Sequence, residues 1–456
     1  MTVRKPPNAA LAAVIEEAGC TYQSLAKAVR AIATEAGQTL YTAPSAVHSW
    51  IAGGSPTDRT ATYIAEALTR MLNRKVTLTE IGPGSDSIGE AITADPLATA
   101  ADLGRLVMHR RRDFLALAFS ATAVGLPLTY DHQAAAATLR AARAGGRVGT
   151  TEIATVRQLT ESFRTADNRL GGGHGLTTVT SYLTDTVIPM LQATYPTDDV
   201  RRSAYGAAAE LATLVGWKMH DVGREGAAQR FYLLAFQLAC EADPAGHGAW
   251  MLRALTHQAL DLGQPHHTVE LAEAGLARAR GEVDRQTEAL LLVTAARAYG
   301  ANGQGRDAAR ALLAAEDAML AGAGSAAPGY AAASGPVSAT VASHMGKTLT
   351  EMGDHRAAER HYRSAVTGRA PETYQRTRAL TIANIAKSVG AQRRHEEAVA
   401  LWAQFLDIAG DVTSDRSRKE LATLRSTMTS YAKRRIVGAA ALAERAALVP
   451  PSPMLG

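Results

Sequence analysis

The stretch MGDHRAAERHYRSAV, residues 352–366, decides the fold, because its pattern returns at four other places in the chain. Gly353 is preceded at minus seven by Gly346 and followed by Ala358 at plus five, Tyr362 at plus nine and Ala365 at plus twelve. The same frame holds Gly216, Gly223, Ala228, Tyr232 and Ala235, then Thr256, Gly263, Thr268, Ala272 and Gly275, then Ala296, Gly303, Ala308, Leu312 and Ala315. In the last copy Arg393 stands where the glycine would be, among Ala386, Ala398, Trp402 and Phe405. The anchors 223, 263, 303, 353 and 393 are separated by 40, 40, 50 and 40 residues. A small residue inside one helix lets a second helix approach closely, and a glycine of positive φ ends the first. The alanine and the larger residue four further on share a face of the second helix. Five copies in register predict stacked helical hairpins, and so an all-α chain.

These positions resemble tetratricopeptide repeats over roughly residues 203–410, with a period longer than the family's usual ~34 residues and without its closing proline in most copies. The resemblance implies an α-solenoid whose first helices line a concave wall, with the residue six before each anchor facing inward. Those residues are Trp217, His257, Arg297, Lys347 and Lys387, and Arg253, four before His257, joins the same face. A ladder running from aromatic to cationic suits an acidic small molecule or a peptide end. The competing reading is that long basic side chains only keep a groove solvated.

Length and composition bound the rest. A chain of 456 residues has room for two to four domains. Its net charge of +5 permits an acidic partner without demanding one. Cys20 and Cys240 are the only cysteines, so neither a disulfide framework nor a thiolate zinc site can be built. The N-terminal MTVRKPPNAALAAVIEEAG lacks the apolar core of a signal peptide. No apolar run reaches the ~20 residues of a spanning helix. A soluble, cytoplasmic protein without membrane contact is expected. No HExxH, GxSxG, Walker-type lysine or acidic metal motif occurs, so neither enzyme activity nor a cofactor or metal is expected.

Residues 1–82 read as a compact bundle of about five helices. Asn8 and Thr21 are N-cap residues for the first two, Asp58 opens the fourth, and a short fifth covers residues 78–81. The third, in APSAVHSWIAGG, splits by helical period: Ala43, Ala46, Val47 and Trp50 fall on one side, Pro44, Ser45, His48 and Ser49 on the other. Here the chain resembles the lambda-repressor-like (Xre-type) helix-turn-helix family, with Leu25-Ala26 matching its second-helix pair and Val47-x-x-Trp50 before Gly53 matching its recognition helix. Tyr22, with Gln23 beside it, takes the place of the family's glutamine, and about eleven extra residues separate the two helices. The resemblance implies that Pro44, Ser45, His48 and Ser49 face base edges, that Tyr22 and Gln23 lie beside them, and that helix N-termini near Thr21 and Thr42 meet phosphates.

Residues 83–130 read as a linker and an apolar connecting helix, the linker, 83–104, being rich in small and turn-forming residues. Within the same span, HRRRDFLALAFSATAVGLPLTY (109–130) resembles a twin-arginine export signal but lies too far into the chain for one. An internal helix over 114–128 is expected instead. Residues 131–202 open the solenoid with helices broken at RLGGGHG (169–175), a flexible loop in this reading, and bent or restarted at Pro189. The repeats and a capping helix striped by Leu421, Leu424, Met428 and Tyr431 fill 203–448, with residues 322–335 as the long connection, and 449–456 form a disordered tail.

The whole layout looks like actinobacterial-type transcriptional regulators. It implies a sequence-specific binder of double-stranded DNA, a homodimer, with a repeat domain that senses a peptide or small acidic effector. The alternative is a tetratricopeptide-type interaction scaffold without specific DNA binding.

Overall fold

A computed structural model describes residues 6–36, 38–82, 96–109, 148–265, 267–410, 412 and 414–449. Every regular element among them is helical. None of these helices is long and apolar enough to cross a membrane. The expected helix over 114–128 and the expected tail lie outside the described residues, apart from Val449.

The N-terminal bundle comprises α1 (Ala9–Glu17), α2 (Tyr22–Glu35), α3 (Pro44–Ile51), α4 (Asp58–Leu72) and α5 (Leu78–Ile81). Asn8 caps α1 by accepting from the Leu11 N–H at 3.0 Å, and its amide donates to the Ile81 carbonyl at 2.7 Å, which ties the first helix to the last. Thr21 and Thr57 cap α2 and α4, and Thr77 with Glu80 forms a capping box on α5. The bundle has its own apolar core, including Leu11, Leu25, Val29, Val47, Tyr63, Leu68 and Ile81.

The linker reading of 83–104 needs correction. Residues 96–109 form α6 (Pro96–His109), which buries Leu97, Ala100 and Leu103, one helical face, in the core of the repeat array. Then come α7 (Thr150–Leu170) and α8 (Leu176–Ser181), which runs through a π-helical turn (Tyr182–Val187) into α9 (Ile188–Met190) with Pro189 in its first turn.

Five hairpins follow: α10 (Asp198–Asp221) with α11 (Glu225–Ala242), α12 (His247–Asp261) with α13 (Thr268–Ala279), α14 (Arg285–Ala301) with α15 (Gly305–Ala321), α17 (Val337–Glu351) with α18 (His355–Thr367), and α19 (Gln375–Ala391) with α20 (His395–Ala409). Gly223, Gly263, Gly303 and Gly353 have φ of 76°, 65°, 74° and 84°, and Arg393 adopts 65° in the same role. Each anchor N–H bonds the carbonyl three residues back, and the next N–H bonds five back, as in Gly353 to Thr350 at 3.1 Å and Asp354 to Leu349 at 2.9 Å. This Schellman geometry satisfies the carbonyls that a helix end leaves open. The small residue at minus seven also has a measurable reason. A Cβ at Gly216 would stand 2.7 Å from the Tyr232 ring, and one at Gly346 2.6 Å from that of Tyr362.

The long connection carries a short helix, α16 (Gly329–Ala332), whose Tyr330 stacks on His247 with ring centroids 4.6 Å apart. The array ends in α21 (Asp415–Lys433), which buries Leu421, Leu424, Met428 and Tyr431, and then in α22 (Ala439–Ala447), which the pattern did not reveal.

Buried ion pairs join the two ends of the array. Arg376, on α19, is 1% exposed and reaches Asp167 of α7 at 2.8 Å and Asp221 at the end of α10 at 3.2 Å. Asp221 also accepts from the Ser414 hydroxyl at 3.0 Å and from the Gly172 N–H at 2.9 Å. The loop at 171–175, read from sequence as flexible, is therefore pinned: Lys218 donates to the His174 carbonyl at 2.7 Å, and a Cβ at Gly172 would meet that of Asp221 at 2.7 Å. Burial opposes the charge on Asp167, but Arg376 and Lys218 outweigh it and hold its pKa below the usual range. These contacts close the hairpin array around an interior cavity.

Candidate functional site

Two surfaces collect the chemistry, one on the bundle and one inside the array. On α3, Val47 and Trp50 are buried while Pro44, Ser45, His48 and Ser49 are exposed. Ala46 is half-buried, and Ala43 is exposed rather than packed, because it is the N-cap and lies outside the helix. Tyr22 and Gln23, at the N-terminus of α2, are exposed too, and the Tyr22 ring meets His48 edge-on at 6.4 Å. Six of the seven residues named for DNA contact are thus exposed.

Thr42 does not join them. It is 9% exposed and its carbonyl takes a hydrogen bond from Arg30, so the loop before α3 turns that residue inward.

Inside the array, a cavity of about 220 Å³ brings together Trp217, Arg253, His257, Arg297 and Lys347, five of the six residues of the inward ladder. Lys387 is not among its lining residues: it is solvent-exposed and pairs with Glu420 at 2.8 Å. The residues that sequence reasoning missed are mostly ionic. Asp261, one turn beyond His257 on α12, is the cavity's central carboxylate. Arg297 reaches it at 2.6 Å, Lys347 and His220 at 3.5 Å and Arg416 at 3.8 Å. Arg164, Arg369 and Arg376 bring the lining to seven guanidinium and ammonium groups, against the carboxylates of Asp167, Glu210 and Asp261.

The electrostatics follow from that imbalance. Burial opposes the charge on Asp261, but Lys347 and Arg297 hold its pKa well below the usual range. His220 stands between Glu225, at 2.8 Å, and Asp261. Burial disfavours its charge, yet the two carboxylates raise its pKa to about 9. Burial and the neighbouring Arg297 push Lys347 down to about 7. Burial, then Arg297, lowers Arg253 to about 9.

His257 and His344 stack at 4.2 Å, and both are held neutral by burial and by the surrounding cations. Each accepts from an arginine, His344 from Arg253 and His257 from Arg297, both at 3.3 Å. Such a wall offers hydrogen-bond donors and positive charge to the cavity. Trp217 and Trp250 add apolar surface, but their rings already carry arginines: Arg416 lies 5.3 Å from the first and Arg253 4.4 Å from the second.

A family model described as the SP15 N-terminal domain matches residues 11–84, the segment of the bundle. No curated protein matches the chain.

Proposed function

We propose that the chain is a cytoplasmic, sequence-specific DNA-binding transcriptional regulator, acting as a homodimer, whose helical-repeat domain binds a peptide or small acidic effector. The observation that carries this reading is the split of α3. A short helix with Val47 and Trp50 packed leaves Pro44, Ser45, His48 and Ser49 in solvent next to Tyr22 and Gln23. A recognition helix needs that arrangement to enter a major groove. The resemblance of residues 8–82 to the lambda-repressor-like family supports the same assignment. The cation-rich cavity is the proposed effector site.

Arg224 supplies a physical link between the two. It follows the anchor Gly223 and donates to the Ala36 carbonyl at the end of α2, at 3.4 Å. An effector that favours one arrangement of α10 thereby biases the position of the bundle.

Gel-shift titration against the DNA flanking its own gene tests the reading. Specific binding that survives moderate salt is expected, and only weak, salt-labile, sequence-indifferent binding would point to a scaffold. Ser45→Ala with Ser49→Ala should remove about 1 to 3 kcal/mol of base discrimination with the fold intact. Unchanged operator affinity in that double variant defeats the assignment of α3.

A further inference from the structure

We propose that the cavity's ligand is a small molecule carrying two negative charges, a phosphate monoester or a pair of carboxylates, lying along α17 and held by Arg253 and Arg369. This deepens the effector reading above and rests on it.

The first support is charge pairing. Arg297, Lys347, Arg416 and His220 all share Asp261, and Glu351 lies a further 3.7 Å from Arg297. Arg376 is committed to Asp167 and Asp221. Arg253 and Arg369, in contrast, meet no carboxylate among the described residues, although they are only 8% and 4% exposed. Arg253 has the His344 ring nitrogen and the Trp250 face; Arg369 has the Ala365 carbonyl at 3.2 Å and the Thr340 hydroxyl at 3.5 Å. A guanidinium so buried without an anion is unfavourable, so two of them on one cavity call for two negative charges.

The second support is the polarity of the unpartnered atoms. Among the described residues, the lining side chains with a buried polar atom that makes no hydrogen bond are Arg253, Arg297, Arg369 and Arg376 through Nε, His344 through Nδ1, and Gln258 through Oε1. His344 accepts from Arg253 at Nε2, which places its proton on Nδ1. Five of these six atoms are thus N–H donors. The site lacks acceptors, and phosphate and carboxylate oxygens are what it lacks.

The third is register. Thr340, Ser343, His344 and Lys347 all line the cavity and follow one another at i, i+3, i+4 and i+7 on α17. Arg369 bonds the first, Arg253 the third, and Lys347 sits beside Arg297 across Asp261. The cationic heads therefore form a row of about 10 Å along one helix, a span that suits a compact dianion. The Lys347 ammonium stands among Arg297, Arg416, His257 and His344, with Asp261 and Glu351 as the anions acting on it among the described residues. An added dianion favours its protonated form, so binding takes up a proton near pH 7 and weakens as the pH rises from 7 to 8.5, where a phosphate monoester is already mostly dianionic.

The test is calorimetric titration of the full chain, without DNA, using phenyl phosphate, phthalate, benzoate and benzyl alcohol. Phenyl phosphate or phthalate should bind at least about tenfold more tightly than benzoate, and benzyl alcohol not measurably. Which dianion binds distinguishes the phosphate source from the dicarboxylate one. Arg253→Gln and Arg369→Gln should each weaken the dianion by about tenfold or more. Should either variant misfold, the wild-type comparison of pH 7 with pH 8.5 still decides. Benzoate binding as tightly as the dianions, no dianion binding, or affinity unaltered by both substitutions and by pH overturns the proposal. If a dianion binds as described but leaves the gel shift unchanged, the proposal stands and the regulatory reading falls.

Discussion

The N-terminal bundle and the hairpin array use burial for opposite ends. In the bundle the interior is almost wholly apolar. Glu66 is the one charged residue below 9% exposure among its described residues, and Arg70 bonds it one turn away. Its polar chemistry lies outside, on α2 and α3. In the array the interior holds Asp167, Lys218, Asp221, Glu225, Arg230, Arg253, Arg297 and Arg376, all below 9% exposure. Buried ion pairs add little net stability over apolar packing of the same volume. Their presence inside the array goes with its closure by long-range ion pairs and with a cation-lined cavity, whereas the bundle's core is closed by apolar packing.

That contrast can be broken most directly by removing one member of each interior. Arg376→Ala leaves Asp167 and Asp221 without their guanidinium partner and should cost the array about 3 to 5 kcal/mol. Trp50→Ala empties a packed site and should cost the bundle a similar amount, about 3 to 5 kcal/mol. Urea unfolding followed by far-ultraviolet circular dichroism should show each variant shifting a different transition, since the two regions have separate cores. A single transition shifted by both variants would erase the distinction.

A smaller effect is expected at the hairpin contacts. Gly346→Ala drives a methyl into the Tyr362 ring and should destabilise the array by about 1 to 3 kcal/mol, with the bundle unaffected. Arg393→Gly should do the reverse, raising the array's stability by about 1 kcal/mol because glycine takes the left-handed conformation without strain.

The least conspicuous test uses pH. The His220 pKa is raised from 6.5 to about 9, so its contribution is complete below 6.5 and is lost as the pH climbs through 9. Lys347, lowered from 10.5 to about 7, has the opposite sign: the unfolded chain binds its proton above pH 7 and the folded chain does not. The two slopes oppose each other between pH 7 and 9. His220→Gln removes the first and should leave stability rising with pH relative to the wild type in that window. Parallel profiles for the two proteins would show that His220 is not the charged group described.

Much of this architecture was legible in the sequence, because the anchors combine a backbone requirement with a packing requirement. Glycine with positive φ and a small residue opposite an aromatic ring leave a signature that survives at Arg393, where register alone marked the turn. The inward ladder was legible for Trp217, His257, Arg297 and Lys347 because each first helix meets the cavity at the same level. The rule fails at Lys387. On α19 the residues facing the cavity are Arg376, Thr377, Leu380, Thr381 and Asn384, and Lys387 lies beyond them, on Glu420.

Asp261, Arg369 and Arg416 left no local signal, since a charged residue on a helix gives no sign of whether its partner is solvent or a distant ion. Arg376 and its partners are 155 and 209 residues apart, a pairing that no local pattern encodes. Thr42 was misplaced for a related reason: it was expected beside the exposed N-terminus of α3, but Ala43 is the N-cap and Arg30 bonds the Thr42 carbonyl.

The contact between Arg376 and Asp167 also has a consequence for how the chain reaches its native state. In an open stack each repeat touches only its neighbours, so the ends fray and the array can melt piecewise. Here α7 and α10 hold α19, so the hairpins between them are not free to peel away one by one. The hairpins consist of near-neighbour contacts and can form early, but the bond spanning 209 residues is possible only once every hairpin between is in place. Closure is then the late step of folding, and an array of separable units becomes one that melts all at once.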